Sequence, residues 1–167
     1  EGLEQQAIES GIDVSADPEK DYLLRFLPDG TPENGEDASN IDLTLTFRES
    51  KKECKFVFDE SFQRYVYWQY NQEMVDGLTG EKESYDNVII MFPSEIRQVG
   101  NGYQTVHFED GGTGYYASRG KIIPILWECD GTSSPFRFLT ADGEQLYMTQ
   151  GRTFIAITEV GSALSWS

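Results

Sequence analysis

Ile41-Asp42-Leu43-Thr44-Leu45-Thr46-Phe47 places Ile, Leu, Leu and Phe on one face and Asp and two Thr on the other. That period of two is the signature of a strand with one face in a core. Cys54, Phe56 and Phe58 then alternate with Glu53, Lys55 and Asp59, and a turn at Glu60–Gln63 leads into Arg64–Tyr70, which reads as a hairpin. Further along, Asn87-Val88-Ile89-Ile90-Met91-Phe92 is almost continuously apolar, as expected of a strand covered on both faces. Asn101-Gly102 lies between Ile96–Val99 and Tyr103–Phe108, and both turn residues accept the positive φ of a type I′ turn. Ser118–Lys121 joins Gly114–Ala117 to Ile122–Cys129, Ala141–Glu144 joins Phe136–Leu139 to Gln145–Met148, and Phe154–Thr158 reads as the last strand. About ten short strands predict a mainly β protein, α+β only at the margin, built as an antiparallel sandwich or a partly open barrel with a short N-terminal helix.

That helix is expected from Leu3, Ala7 and Ile8, ending at Gly11, and Tyr22–Phe26 reads as a short strand. Residues 1–40 carry 11 acids and two bases, with Pro28, Gly30, Pro32 and Gly35 close together, the composition of a solvated linker. Three units are expected: 1–40 as an acidic helix and linker to a preceding domain, 41–160 as the β-rich domain, and 161–167 as a frayed tail in which Trp166 is the residue able to dock. The sequence starts at Glu1 without Met or signal peptide and reads as a trimmed product.

Composition narrows the function. The 167 residues hold 29 acids, 13 bases and a single His, for a net charge of −16. That balance argues against nucleic acid and against an anionic membrane surface, both of which need clustered Lys and Arg. No apolar run reaches the roughly 18 residues of a membrane-spanning helix, so direct membrane insertion is not expected. One His and two Cys leave little for a metal centre or a His-based nucleophile, and no G-x-S-x-G elbow or P-loop occurs. No metal, cofactor or catalytic residue is expected. His107 alternates with Val106 and Phe108 and reads as a surface or rim residue.

Two features remain. Cys54 shares a face with Phe56 and Phe58, and Cys129 with Ile123, Ile125 and Trp127, which suits either two buried thiols or a disulfide. Tyr65-Val66-Tyr67-Trp68-Gln69-Tyr70 is dense in aromatic residues. If one face is exposed, Tyr65, Tyr67 and Trp68 offer rings to a sugar or a protein, and otherwise they pack within the sheet. Asp76, in the loop after this strand, is a further ligand-binding candidate, and with Glu73 the first candidate for a glycosidase carboxylate pair. Asp76-Gly77 reads equally as a turn.

The order of several segments resembles the second domain of the YerB-like lipoproteins, a bacterial family of unknown function. Those segments are Phe56–Tyr65, Met74-Val75-Asp76-Gly77-Leu78-Thr79-Gly80, Asn87-Val88-Ile89-Ile90, Gly114-Tyr115-Tyr116, Gly120-Lys121 leading to Trp127, Ser134-Pro135-Phe136-Arg137, Asp142-Gly143-Glu144 and Gly151-Arg152-Thr153-Phe154-Ile155. The likeness spans roughly residues 40–159, with Met74 where the family commonly has His and Phe154 where it has Trp. The resemblance implies a precursor with a signal peptide, a lipid-modified Cys and another domain, anchored outside the cytoplasmic membrane on a Gram-positive-type cell surface. The expectation is a non-catalytic extracytoplasmic module that binds a protein or a cell-envelope polymer. The alternatives are an envelope glycan hydrolase using an Asp/Glu pair and a spacer that presents an N-terminal domain.

Overall fold

The computed structural model describes residues 24–47, 50–131 and 134–167. The helix expected near Leu3–Gly11 and the start of the Tyr22–Phe26 strand lie outside these residues. In chain order the strands are β1 (Arg25–Leu27), β2 (Glu36–Asp37), β3 (Asn40–Phe47), β4 (Ser50–Asp59), β5 (Arg64–Gln69), β6 (Gln72–Glu73), β7 (Ser84–Tyr85) and β8 (Asn87–Pro93). They continue as β9 (Ile96–Gln98), β10 (Gln104–Val106), β11 (Gly112–Ser118), β12 (Lys121–Glu128), β13 (Arg137–Thr140), β14 (Tyr147–Thr149), β15 (Thr153–Ile157) and β16 (Leu164–Trp166).

Most belong to two six-stranded sheets. The first runs β13-β12-β11-β8-β15, with β2 also on β12, and the second runs β16-β3-β4-β5-β6, with β7 also on β5. The expected alternation is what joins them. Ile41, Leu43 and Leu45 of β3 and Cys54 and Phe56 of β4 meet Val88 and Ile90 of β8, Ala117 of β11 and Ala156 of β15 in one buried cluster. The sandwich reading therefore holds, and neither sheet closes into a barrel. Within the cluster Phe154 is the aromatic hub, with ring centroids 5.0 Å from Phe56, 5.0 Å from Tyr67 and 5.1 Å from Tyr85.

β8 is covered on its other face too, as its unbroken apolar run predicts. Ile89 and Met91 join Tyr116, Ile125, Trp127, Phe138, Leu146 and Met148 in a second buried cluster. This cluster is roofed in part by β14, which pairs in parallel with β1. That β1–β14 pair and one other depart from the antiparallel expectation: β15 runs parallel to β8, Thr153 opposite Asn87. A parallel neighbour needs a long crossover, here the whole of β9–β14, and alternation within a strand carries no information about that choice.

Three further expectations change. The stretch Pro28–Asp37, read as linker, is built into the fold: it leads from β1, paired with β14, into β2, paired with β12. The tail is ordered from Leu164 to Trp166 against β3, and the Trp166 Nε1–H donates to the Glu36 carboxylate at 3.0 Å. Asn101-Gly102 does sit in a hairpin, β9 with β10, but through a longer loop containing a 3₁₀ turn at Gly100–Gly102. The short type I′ geometry occurs instead at Arg119-Gly120, where φ is +49° and +77°.

Candidate functional site

A groove of about 480 Å³ lies between the loop Asp29–Asn34 and the hairpin Thr140–Tyr147. Its floor is Tyr116, Ile123, Pro124 and Leu146, and its rim carries Asp29, Glu33, Asp142 and Glu144, with no Lys or Arg in the lining. Tyr147 lines it while 48 % exposed, and Leu27 while 43 % exposed. An apolar floor with a free aromatic ring and several convergent acceptors is the ordinary make-up of a ligand site.

The walls are held by a buried polar network. The Asn87 side-chain amide donates to the Thr149 carbonyl at 2.8 Å and to Thr153 Oγ1 at 3.1 Å. Its Oδ1 accepts from the Tyr116 hydroxyl at 2.9 Å and from the Thr149 N–H at 3.1 Å. Thr149 Oγ1 accepts from the Gly30 N–H at 3.0 Å, so the Asp29–Asn34 loop is tied to β14. Gly30 is required there, because a Cβ would collide with the backbone of Met148 and Thr149. At the loop's outer side Asp29 receives the Thr31 hydroxyl and N–H and the Arg119 guanidinium, the last at 2.7 Å. The Thr31 side chain, more than any charge, holds the Asp29 carboxyl below its usual range.

The residues singled out from sequence lie elsewhere. Tyr65 is fully buried and donates to the Ala38 carbonyl at 3.0 Å, and burial pushes its phenol upward. Tyr67 is buried as well, its hydroxyl 3.3 Å from Cys54 Sγ, with its phenol raised mainly by burial. The aromatic strand therefore turns these two rings into the core, the cross-strand packing reading. Trp68, opposite Lys55 and Glu73, keeps a half-buried ring in a shallow depression shared with Val66, Phe58 and Lys82. Cys54 and Cys129 are both free buried thiols, Cys129 Sγ meeting the Gly131 carbonyl at 3.3 Å. His107 is half exposed beside Glu95.

Asp76 closes a turn at an exposed hairpin. Its Oδ1 accepts from the N–H groups of Leu78 at 2.9 Å and Thr79 at 2.7 Å, and from the Thr79 hydroxyl at 3.0 Å. These bonds, Thr79 N–H first, lower its carboxyl from the ordinary value. Its contribution to the turn is thus present above the unfolded carboxyl value and is lost as pH falls through the lower folded one. In an NMR titration the Asp76 carboxyl is expected to titrate below the ordinary Asp value, with the Leu78 and Thr79 amide shifts following it. Amide shifts that follow the ordinary carboxylate range would remove this role.

The groove was missed in the sequence because its two lips, Pro28–Asp37 and Ala141–Glu144, read as a linker and a turn. The available signal was Pro28 and Pro32 flanking Gly30, which stiffens a loop that composition alone calls solvated.

The model of the family described as protein of unknown function (DUF3048), C-terminal domain, matches residues 43–155. The chain belongs to that family. The solved structure of the YerB protein from Bacillus subtilis is similar with a TM-score of 0.71 at 19 % identity, over 98 % of this chain and 52 % of that one. The chain thus spans about half the length of that relative, and at this identity the likeness is one of fold. No curated protein matches it. Within this DUF3048 domain, Phe154 is the aromatic hub of the first core, and Met74 packs against the same core.

Proposed function

We propose that this DUF3048 domain is a non-catalytic binding module, working outside the cytoplasmic membrane as part of a cell-surface lipoprotein, and that its groove takes a segment of a protein or of a cell-envelope polymer. The observation that carries this reading is the half-exposed Tyr147 ring beside an apolar floor and a rim of four carboxylates. A ring of this kind stacks on the apolar face of a sugar or a side chain. The carboxylates accept hydrogen bonds from hydroxyl or ammonium donors. Hydrolysis through a carboxylate pair would need one carboxyl raised toward neutrality. The carboxyl groups whose titration is displaced among the described residues, Asp29, Asp37, Asp59 and Asp76, all move downward.

The test is co-sedimentation with isolated cell walls at low and high salt. Binding is expected to persist at high salt and to weaken about tenfold in Tyr147→Ala, and again in Asp142→Asn, each with an unchanged melting curve. Binding of equal strength in both variants would move the site away from the groove, and no sedimentation in any condition would sink the envelope-polymer half of the reading.

A further inference from the structure

One edge of the first sheet is unpaired among the described residues. β15 ends the strand order, with β8 on one side and no strand on the other. The Arg152 carbonyl accepts from the Asn87 N–H at 3.0 Å, and the Thr158 N–H donates to the Met91 carbonyl at 3.1 Å. With the period of two between those bonds, the backbone groups of Phe154 and Ala156 also turn toward β8, and those of Thr153, Ile155 and Ile157 turn outward. The strand Thr153-Phe154-Ile155-Ala156-Ile157 carries no charge and no proline, the usual devices that blunt an edge. Ile155 stands 43 % exposed along it.

The start of this edge opens into a cavity of about 570 Å³. Arg152 forms one wall and the hairpin Val75–Lys82 the other. Tyr85, which lines it, has its ring centroid 5.1 Å from that of Phe154. Asp76, Glu81 and Glu83 face this space, and of its two cations Lys82 is already paired with Glu73 at 3.0 Å. The entrance is rigid, since the Arg152 N–H donates to the Asp86 carboxylate at 2.8 Å, and that carboxylate also holds Arg64 at 3.1 Å. Acceptors therefore outnumber free cations where the bare edge begins.

We propose that this edge is a strand-addition site for an extended segment of another protein, uncharged and β-branched along Thr153–Ile157, with a Lys or Arg at the end that enters the cavity. Backbone bonds to Thr153, Ile155 and Ile157 supply the attachment, and the carboxylates supply the choice of sequence. A second copy of this chain fits less well. Antiparallel pairing of two β15 edges centred on Ile155 places the second copy's Arg152 beside Thr158, at the far end from the cavity. The charge of −16 on each copy opposes the approach as well.

The probes are short blocked peptides alternating Val and Thr, with Lys or Glu at one end. Adding the Lys peptide is expected to slow amide exchange at Thr153, Ile155 and Ile157 and to leave Phe154 and Ala156 unchanged. The Glu peptide is expected to bind about tenfold more weakly. Ile155→Pro removes an N–H that already faces away from β8, so the ladder survives while peptide affinity falls about tenfold. No slowing at the three outward amides overturns the proposal, as does equal binding by the Ile155→Pro protein. Equal binding of the Glu peptide overturns the role of the cavity. Slowing that rises with protein concentration alone assigns the edge to a second copy instead. None of these outcomes depends on Tyr147, so this site and the groove stand or fall separately.

Discussion

Asn87→Ala is expected to lower the stability of the folded domain by about 3–4 kcal/mol, because it removes the hub of a fully buried polar network. Asn87 satisfies the Thr149 carbonyl and Thr153 Oγ1 as a donor, and the Tyr116 hydroxyl and Thr149 N–H as an acceptor. Tyr116 retains the Gly30 carbonyl at 3.1 Å as a partner, but the Thr149 carbonyl loses its side-chain donor in a space closed to water. For a domain of this size the melting temperature is expected to fall by on the order of 10 °C. Ser118→Ala serves as a milder probe, since Ser118 lies at the margin of the network, bonded to Thr149 Oγ1 at 2.8 Å and to the Asp86 carbonyl at 3.0 Å, and about 1 kcal/mol is expected there. Thermal melts that differ from the parent by less than about 2 °C for Asn87→Ala would show that water replaces the amide without loss.

Trp127→Ala is expected to cost about 4 kcal/mol, the range for deleting a large aromatic from a closed core. The indole is 1 % exposed, its Nε1–H donates to the Thr113 carbonyl at 2.9 Å, and Phe108 and Phe136 pack on it at 6.1 and 6.0 Å. It is also one of two groups that bar a side chain at Gly112, where a Cβ would press first into the Phe92 carbonyl and then into the indole ring. Trp127→Phe keeps most of the volume and is expected to cost about 1–2 kcal/mol. Urea unfolding separates the outcomes: a lower midpoint with an unchanged slope is expected for both variants. A midpoint for Trp127→Ala equal to that of Trp127→Phe would mean that the second core collapses around the gap.

What the sequence made legible was the part of the fold that alternation governs. Ile41, Leu43, Leu45, Cys54 and Phe56 face the core as their spacing says, and the unbroken run Val88–Met91 is covered on both sides. Pairings between distant strands were not legible, because β15 carries the same apolar pattern whether its neighbour runs parallel or antiparallel. Of the four candidate binding residues, Tyr65 and Tyr67 are buried while Trp68 is half-buried and Asp76 exposed, a difference the sequence hid for a related reason. Tyr65 and Tyr67 drew attention by ring density, yet density on one strand does not say which face the second sheet covers. The groove depends on a loop locked by Asn87, Tyr116 and Thr149, three residues from three separate strands, and no local pattern announces such a meeting.

The parallel pairing of β15 with β8 also bears on how the chain reaches this state. β8 acquires that neighbour only after β9–β14 have been laid down, and β16 reaches β3 across almost the whole described chain, Leu164 opposite Leu43. Long loops must therefore close before either sheet is whole, which places the folding of this domain toward the millisecond-to-second end of the range for single domains. In that interval Val88–Pro93, apolar and without charge, waits uncovered on the side that β15 will occupy. The hazard of misassembly is thus greatest before the C-terminal strands arrive, and a chaperone that shields β8 would do most good there.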